Sequence, residues 1–324
     1  MNKFDLKDIT LVPDVLSDIS SRSEIDIIID GTLPLIAAPM DMVIDSNTAN
    51  VFSSKNMLVC LPRGVESNNS EHFTSMGLDE TIEAYNNKTL PKKLLIDVAN
   101  GHMRKLYDIS KLIKENTDTI LMVGNIANPK TYKMYAEIGV DYIRCAIGTG
   151  SACLTSVHTG VHYPIGSLIS EISSIRNRLS LSTKIVADGG FRTYSDIIKC
   201  LALGADYVML GGVLSKSMES CSPKYIKKLG EYVPYSGEIG EEVYTYYRGM
   251  STKEVQKSWN RKHLKTAEGI SFYQKVEYTM DSWLENFQDY LKSSMSYCNA
   301  KNLKDFRKSK YILITDNAQK RFEK

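Results

Sequence analysis

The residues best placed to do chemistry lie in one loop, Gly148-Thr149-Gly150-Ser151-Ala152-Cys153-Leu154-Thr155, directly after the apolar run 142–147. A loop cysteine among backbone N–H groups freed by glycine can have its thiolate stabilised, which makes Cys153 a candidate nucleophile. A small buried side chain is the other reading of any cysteine, and spacing leaves both open. Thr155 can accept and pass on a proton, or simply bond the backbone. Glu268, within Ala267-Glu268-Gly269, is a candidate acid/base carboxylate or a surface residue. Two further strand-like runs end in paired glycines, Asp188-Gly189-Gly190 and Leu210-Gly211-Gly212. Each Gly-Gly pair alone can simply make a tight turn, but together, after the last two strands, the backbone N–H groups at Gly189, Gly190, Gly211 and Gly212 suit a phosphate. Asp188 stands where it can accept bonds from ligand hydroxyls such as those of a ribose, or form an Asx-type turn. His158 and His162 have no partner by spacing and read as loop or surface residues.

Strands must position these residues. Short runs, apolar on both faces, recur at 35–38, 58–61, 72–76, 94–98, 120–123, 142–147, 184–187 and 206–210. Between most of them lie segments of helical spacing, such as Leu106-Ile109-Leu112-Ile113 and Ile197-Ile198-Leu201-Leu203. Parallel strands need such crossovers, so the alternation predicts a parallel sheet of the α/β class. Eight β/α units without a large interruption fit a closed (β/α)8 TIM barrel, with its chemistry at the carboxyl ends of the strands. The barrel is expected over roughly residues 30–220 of a single catalytic domain 1–324. A flap and helical tail follow over roughly 221–324, including an amphipathic helix around Trp283, Leu284, Phe287 and Leu291.

The 40 basic residues against 38 acidic ones, net +2, are spread along the chain. That gives no support to a nucleic-acid or membrane-surface partner. The basic stretch 301–324 reads as a solvated surface segment. Six cysteines stand alone, with no zinc spacing. Dispersed cysteines without a signal peptide fit a reducing, cytoplasmic setting, and no apolar run approaches the roughly 20 residues of a membrane helix.

In order along the chain stand Phe4-Asp5-Leu6-Lys7-Asp8, Ser21-Arg22-Ser23-Glu24, Ala38-Pro39-Met40-Asp41, Asp97-Val98-Ala99-Asn100-Gly101 and Gly124-Asn125. The Cys153 loop, the two Gly-Gly turns, Tyr247-Arg248-Gly249-Met250-Ser251 and Glu268-Gly269 follow. In that order these motifs resemble the inosine monophosphate dehydrogenase and guanosine monophosphate (GMP) reductase superfamily over nearly the whole length. Within it the wording is most like the reductases. No regulatory (CBS) domain is inserted after the second strand, 97–101 and 159–164 match reductase wording, and the short span 250–268 lacks the Arg-Tyr pair of dehydrogenase flaps.

The resemblance implies that Cys153 attacks C2 of the purine of GMP, that ammonia leaves with the help of Thr155 and Glu268, and that NADPH supplies hydride to give inosine monophosphate (IMP). By the same carry-over Asp188 holds the ribose, and Ser151, Gly190, Gly211, Gly212 and Tyr247 hold the phosphate. Gly249, Met250, Ser251 and Gly269 line the base. Ser21, Arg22, Arg63, Asp97, Val98, Ala99 and Lys265 approach the nicotinamide cofactor. Ser293, Ser294, Ser296 and Tyr297 do so from a neighbouring subunit of a homotetramer. Carbonyls of Gly148, Gly150 and Cys153 match the family's potassium (K+) site. The chain departs from the family pattern at Leu61-Pro62-Arg63, where His-Lys is usual, and at Thr149, Ser156, Lys265 and Asn299. Three alternatives stand beside this reading: oxidation of IMP with NAD, a related oxidoreductase acting on a deoxynucleotide or modified purine, and nucleotide binding without turnover.

Overall fold

The computed structural model describes residues 3–66, 69–237, 240–258 and 266–321. Eight parallel strands form one sheet: β1 Leu35–Ala37, β2 Leu58–Val59, β3 Thr74–Met76, β4 Lys93–Asp97, β5 Ile120–Ile126, β6 Tyr142–Cys145, β7 Lys184–Asp188 and β8 Tyr207–Leu210. Their spatial order is β2-β1-β8-β7-β6-β5-β4-β3. The two end strands meet through the Cys60–Phe73 bridge, with Phe73 N–H donating to Val59 O and Leu61 N–H to Phe73 O, both at 2.9 Å. The sheet therefore closes on itself as a (β/α)8 barrel, which removes its edges. All eight strands lie on the runs expected from sequence. β3 begins two residues later than expected, because Phe73 belongs to the closing bridge rather than to a regular ladder.

Alternation along the strands divides the core in two. Inward-facing Ile36, Cys60, Phe73, Leu95, Met122, Val186, Tyr207 and Met209 fill the barrel. Outward-facing residues such as Leu35, Leu94, Ile143 and Ile185 pack on the surrounding helices. The helix Arg104–Asn116 buries Leu106, Ile109 and Ile113 on this outer layer, and Tyr194–Ala202 buries Ile197, Ile198 and Leu201. Thr193 caps the latter in a reciprocal box with Asp196.

Beyond β8 a four-stranded antiparallel sheet rises as the flap: β9 Lys224–Lys228, β10 Glu231–Pro234, β11 Val243–Arg248 and β12 Ser271–Lys275, in the order β10-β9-β11-β12. The expected amphipathic helix runs Met280–Tyr297 and buries Trp283, Leu284, Phe287 and Leu291. The basic tail is not a loose solvated segment in its described part. Leu303 and Phe306 are buried, Arg307 pairs with Asp206 at 2.7 Å, and Tyr311–Leu313 pairs antiparallel with Ile9–Leu11. Asn299 adopts a left-handed φ of 53°, a conformation asparagine tolerates, and its side chain accepts the Asp18 N–H at 3.0 Å.

Candidate active site

The loop after β6 carries Cys153 to the mouth of the barrel and runs into the short helix Thr155–Thr159. The flap returns onto this loop. Leu154 N–H donates to Glu268 O at 2.7 Å, Ile270 N–H donates to Ala152 O at 3.1 Å, and Cys153 and Gly269 form an antiparallel bridge. Backbone pairing thus delivers the Glu268 carboxylate to the cysteine loop. Cys153 Sγ lies 3.3 Å from Thr155 Oγ1, which donates to Glu268 Oε2 at 2.6 Å. Thiol, hydroxyl and carboxylate form one chain, although Thr155 and Glu268 are 113 residues apart. Gly249 must be glycine here, since a Cβ on it would stand 2.5 Å from Ala152 O.

The two Gly-Gly turns converge beside this chain. A Cβ on Gly212 would meet Ser151 Oγ at 2.9 Å, and one on Gly211 would meet Tyr247 Oη at 3.3 Å. Gly189 and Gly190, both with positive φ, pack against Thr149 and Gly150. Ser151, Gly211, Gly212 and Tyr247 therefore come together at one polar spot, with Gly190 against the adjoining Thr149. Burial pushes the Tyr247 phenol up to about 12, so its hydroxyl stays neutral and able to donate at ordinary pH. Met250 and Ser251 follow β11 at the rim, half-buried, where Thr252 N–H donates to Gly249 O at 3.3 Å.

One residue at the barrel mouth, Arg144, carries no motif of its own. In β6, Tyr142 and Arg144 point into the barrel while Ile143 and Cys145 point outward. In β4 and β7 the same alternation places Asp97 and Asp188 above inward-facing Leu95 and Val186. Arg144 donates to Asp97 Oδ1 at 2.6 Å and to Asp188 Oδ2 at 2.8 Å. Asn125 Nδ2 donates to the same Asp188 oxygen at 2.6 Å, and Arg63 Nε stands 3.6 Å from Asp97 Oδ2. Burial works against the Arg144 charge, but Asp188 and Asp97 outweigh it and push its pKa up. An arginine inside an apolar strand run, in phase with the inward positions of its neighbours, was the available signal.

The remaining expected residues divide into two groups. Asp97, Val98 and Ala99 stand at the carboxyl end of β4, beside the mouth. Ser21 and Arg22 lie on the outside with the end of the helix Met280–Tyr297, which carries Ser293, Ser294, Ser296 and Tyr297. Ser17 Oγ donates to Ser296 O at 2.7 Å, Asp14 N–H to Tyr297 O at 2.9 Å, and Lys301 Nζ to Glu24 at 3.2 Å. Among the described residues no hydrogen bond or ion pair joins this outer cluster to the Cys153 loop. Lys265 lies outside the described residues. His158 and His162 are exposed, as expected. No helix among the described residues is long and apolar enough to cross a membrane.

Comparison with known proteins agrees with this geometry. The family model described as IMP dehydrogenase / GMP reductase domain matches residues 86–323. A GMP reductase of Streptococcus pyogenes serotype M5 (strain Manfredo) is 28% identical over 335 residues, covering 97% of this chain and 96% of that protein. A GMP reductase of Staphylococcus saprophyticus is 28% identical over 342 residues, covering 98% and 97%. The chain belongs to the IMP dehydrogenase / GMP reductase family.

Proposed function

We propose that this member of the family is a GMP reductase, converting GMP with NADPH to IMP and ammonia. The observation that carries the reading is the Cys153–Thr155–Glu268 chain, with links of 3.3 Å and 2.6 Å. The likeness to proteins named GMP reductase over nearly their whole length supports it.

In this reading the Cys153 sulfur forms a bond to C2 of the purine, and the exocyclic nitrogen leaves as ammonia. That nitrogen would otherwise depart as an amide anion, so it needs a proton, which Thr155 passes on from Glu268. When bound, NADPH supplies hydride to the same carbon; the C–S bond then breaks and Cys153 returns as thiolate. Ser151, Gly189, Gly190, Gly211, Gly212 and Tyr247 hold the phosphate, and Asp188 accepts from the ribose. The donors Arg144 and Asn125 are both on its Oδ2, and in this reading Oδ1 is the oxygen that accepts. Gly249, Met250, Ser251 and Gly269 line the base.

Asp97, Val98, Ala99 and Arg63 fit the nicotinamide end of NADPH, because they bring a carboxylate and a guanidinium to the mouth beside the base. Ser21, Arg22, Ser293, Ser294, Ser296 and Tyr297 form a separate outer cluster. Ser293, Ser294, Ser296 and Tyr297 serve the cofactor of a neighbouring protomer, which fits a homotetramer with shared sites, while Ser21, Arg22 and Lys265 are assigned to the cofactor of their own chain. The test is a panel of purine mononucleotides with NADPH and with NAD or NADP, with products identified by mass. GMP-dependent NADPH oxidation yielding IMP is expected. Xanthosine monophosphate formed from IMP would replace this reading with a dehydrogenase, and tight nucleotide binding without product would replace it with a binding protein.

A further inference from the structure

Two of the chain's departures from its family's pattern, Thr149 and Ser156, are hydroxyl residues in the nucleophile loop, and both hydroxyls are engaged. Ser156 Oγ donates to Gly148 O at 2.9 Å. Thr149 Oγ1 donates to Asp188 O at 3.0 Å, fastening the loop to the end of β7. Gly148 has φ +76°, and a Cβ on it would lie 2.6 Å from the Ser156 Cβ, so the loop closes tightly where that hydroxyl sits. The neighbouring carbonyls are also occupied: Gly150 O accepts from Cys153 N–H at 2.9 Å, and Ala152 O from Ile270 N–H at 3.1 Å.

This donor set does not suit a monovalent cation. Such an ion is held by several carbonyl oxygens that together replace its water shell. Here Gly148 and Gly150, two of the three residues whose carbonyls would provide it, are already turned to hydrogen-bond donors within the loop. An ion would have to share or displace those bonds. A carbonyl keeps a second lone pair, but the Gly148 carbonyl points at a hydroxyl placed two residues into the following helix, which does locally what an ion would do by bridging.

We infer that Ser156 and Thr149 are positioning residues that hold the Cys153 loop by internal hydroxyl bonds, so that the loop is set without a bound monovalent cation. Part of the test rests on the proposed GMP reduction and part does not. Purified protein is compared in KCl and in choline chloride at equal ionic strength. The measurements are the rate of Cys153 alkylation by iodoacetamide, the thermal midpoint and, separately, kcat and KM for GMP. In the wild type all four agree between the two salts, the rates within twofold. Ser156→Ala lowers kcat at least tenfold with KM for GMP changed less than threefold, and Ser156→Thr restores most of it. Thr149→Val changes the Cys153 alkylation rate in the same direction as Ser156→Ala. A wild-type alkylation rate, midpoint or kcat that depends on K+, by more than fivefold for the rates, would overturn the inference, as would a Ser156→Ala variant indistinguishable from wild type in alkylation. Absence of GMP turnover would sink the proposed function alone, since alkylation and melting still decide this point.

Discussion

Thr155 stands between a thiol and a carboxylate, and it can serve both because its hydroxyl accepts while it donates. Cys153→Ala is expected to reduce GMP-dependent NADPH oxidation by at least about a thousandfold, since residues that act as one unit fail together. Glu268→Gln keeps the shape and loses the proton, so kcat should fall by about 10²–10⁴-fold with KM nearly constant, read from steady-state kinetics. His102 offers a pH test. Its Nε2 accepts the Ala127 N–H at 3.1 Å and its Nδ1 lies 3.0 Å from Thr131 Oγ1, so the ring is needed neutral. Burial lowers its pKa. Between that lowered value and the ordinary value near 6.5 the unfolded chain binds the proton and the folded one does not, so stability falls with acidification through this window. Melting at pH 5 and pH 7 checks it, and His102→Gln should shrink the difference, leaving the part due to His72, whose pKa burial also lowers.

At the scale of elements, the flap and the cysteine loop act as one piece because backbone pairing at Leu154, Ile270 and the Cys153–Gly269 bridge joins them. Arg248 fastens the flap to the barrel by donating to Asp41 at 2.6 Å, and within the flap it donates to Glu254 at 3.0 Å. Gly249→Ala forces a methyl against Ala152 O, and it should lower kcat/KM more than tenfold while the barrel melts within a few degrees of wild type, measured by kinetics and circular dichroism together. The eight barrel strands were legible as apolar runs because both their faces are buried. The flap sheet was not. Its tyrosine-rich strands are half-exposed and pair across long intervals, as Tyr246 does with Tyr273, and no local period marks that pairing. The Thr155–Glu268 contact was invisible to spacing for the same reason, and only the resemblance joined the two residues.

The whole molecule is a barrel whose lower interior is apolar and whose upper interior is charged, and Arg144 sits at the change between them. Its guanidinium offsets Asp97 and Asp188 together, so Arg144→Met leaves two partly buried carboxylates without their shared cation and should lower stability in denaturant unfolding, by less than the about 3–5 kcal/mol of a fully buried pair. Loss of nucleotide affinity should accompany it, because Asp188 keeps only Asn125 of the two side chains that hold it. The docked tail, by contrast, contributes to stability through buried Leu303 and Phe306 rather than to the site. The sequence pointed to the carboxyl end of the barrel through its glycines, but the inward phase of Arg144 needed the strand register. In the proposed reaction the purine passes through a covalent bond to Cys153. Rapid-quench mass spectrometry of the peptide carrying Cys153, from enzyme mixed with GMP and NADPH, tests it most directly. A purine ribonucleotide attached to Cys153 that decays as IMP forms is the expected result; IMP accumulating while Cys153 stays unmodified would rule out the covalent route.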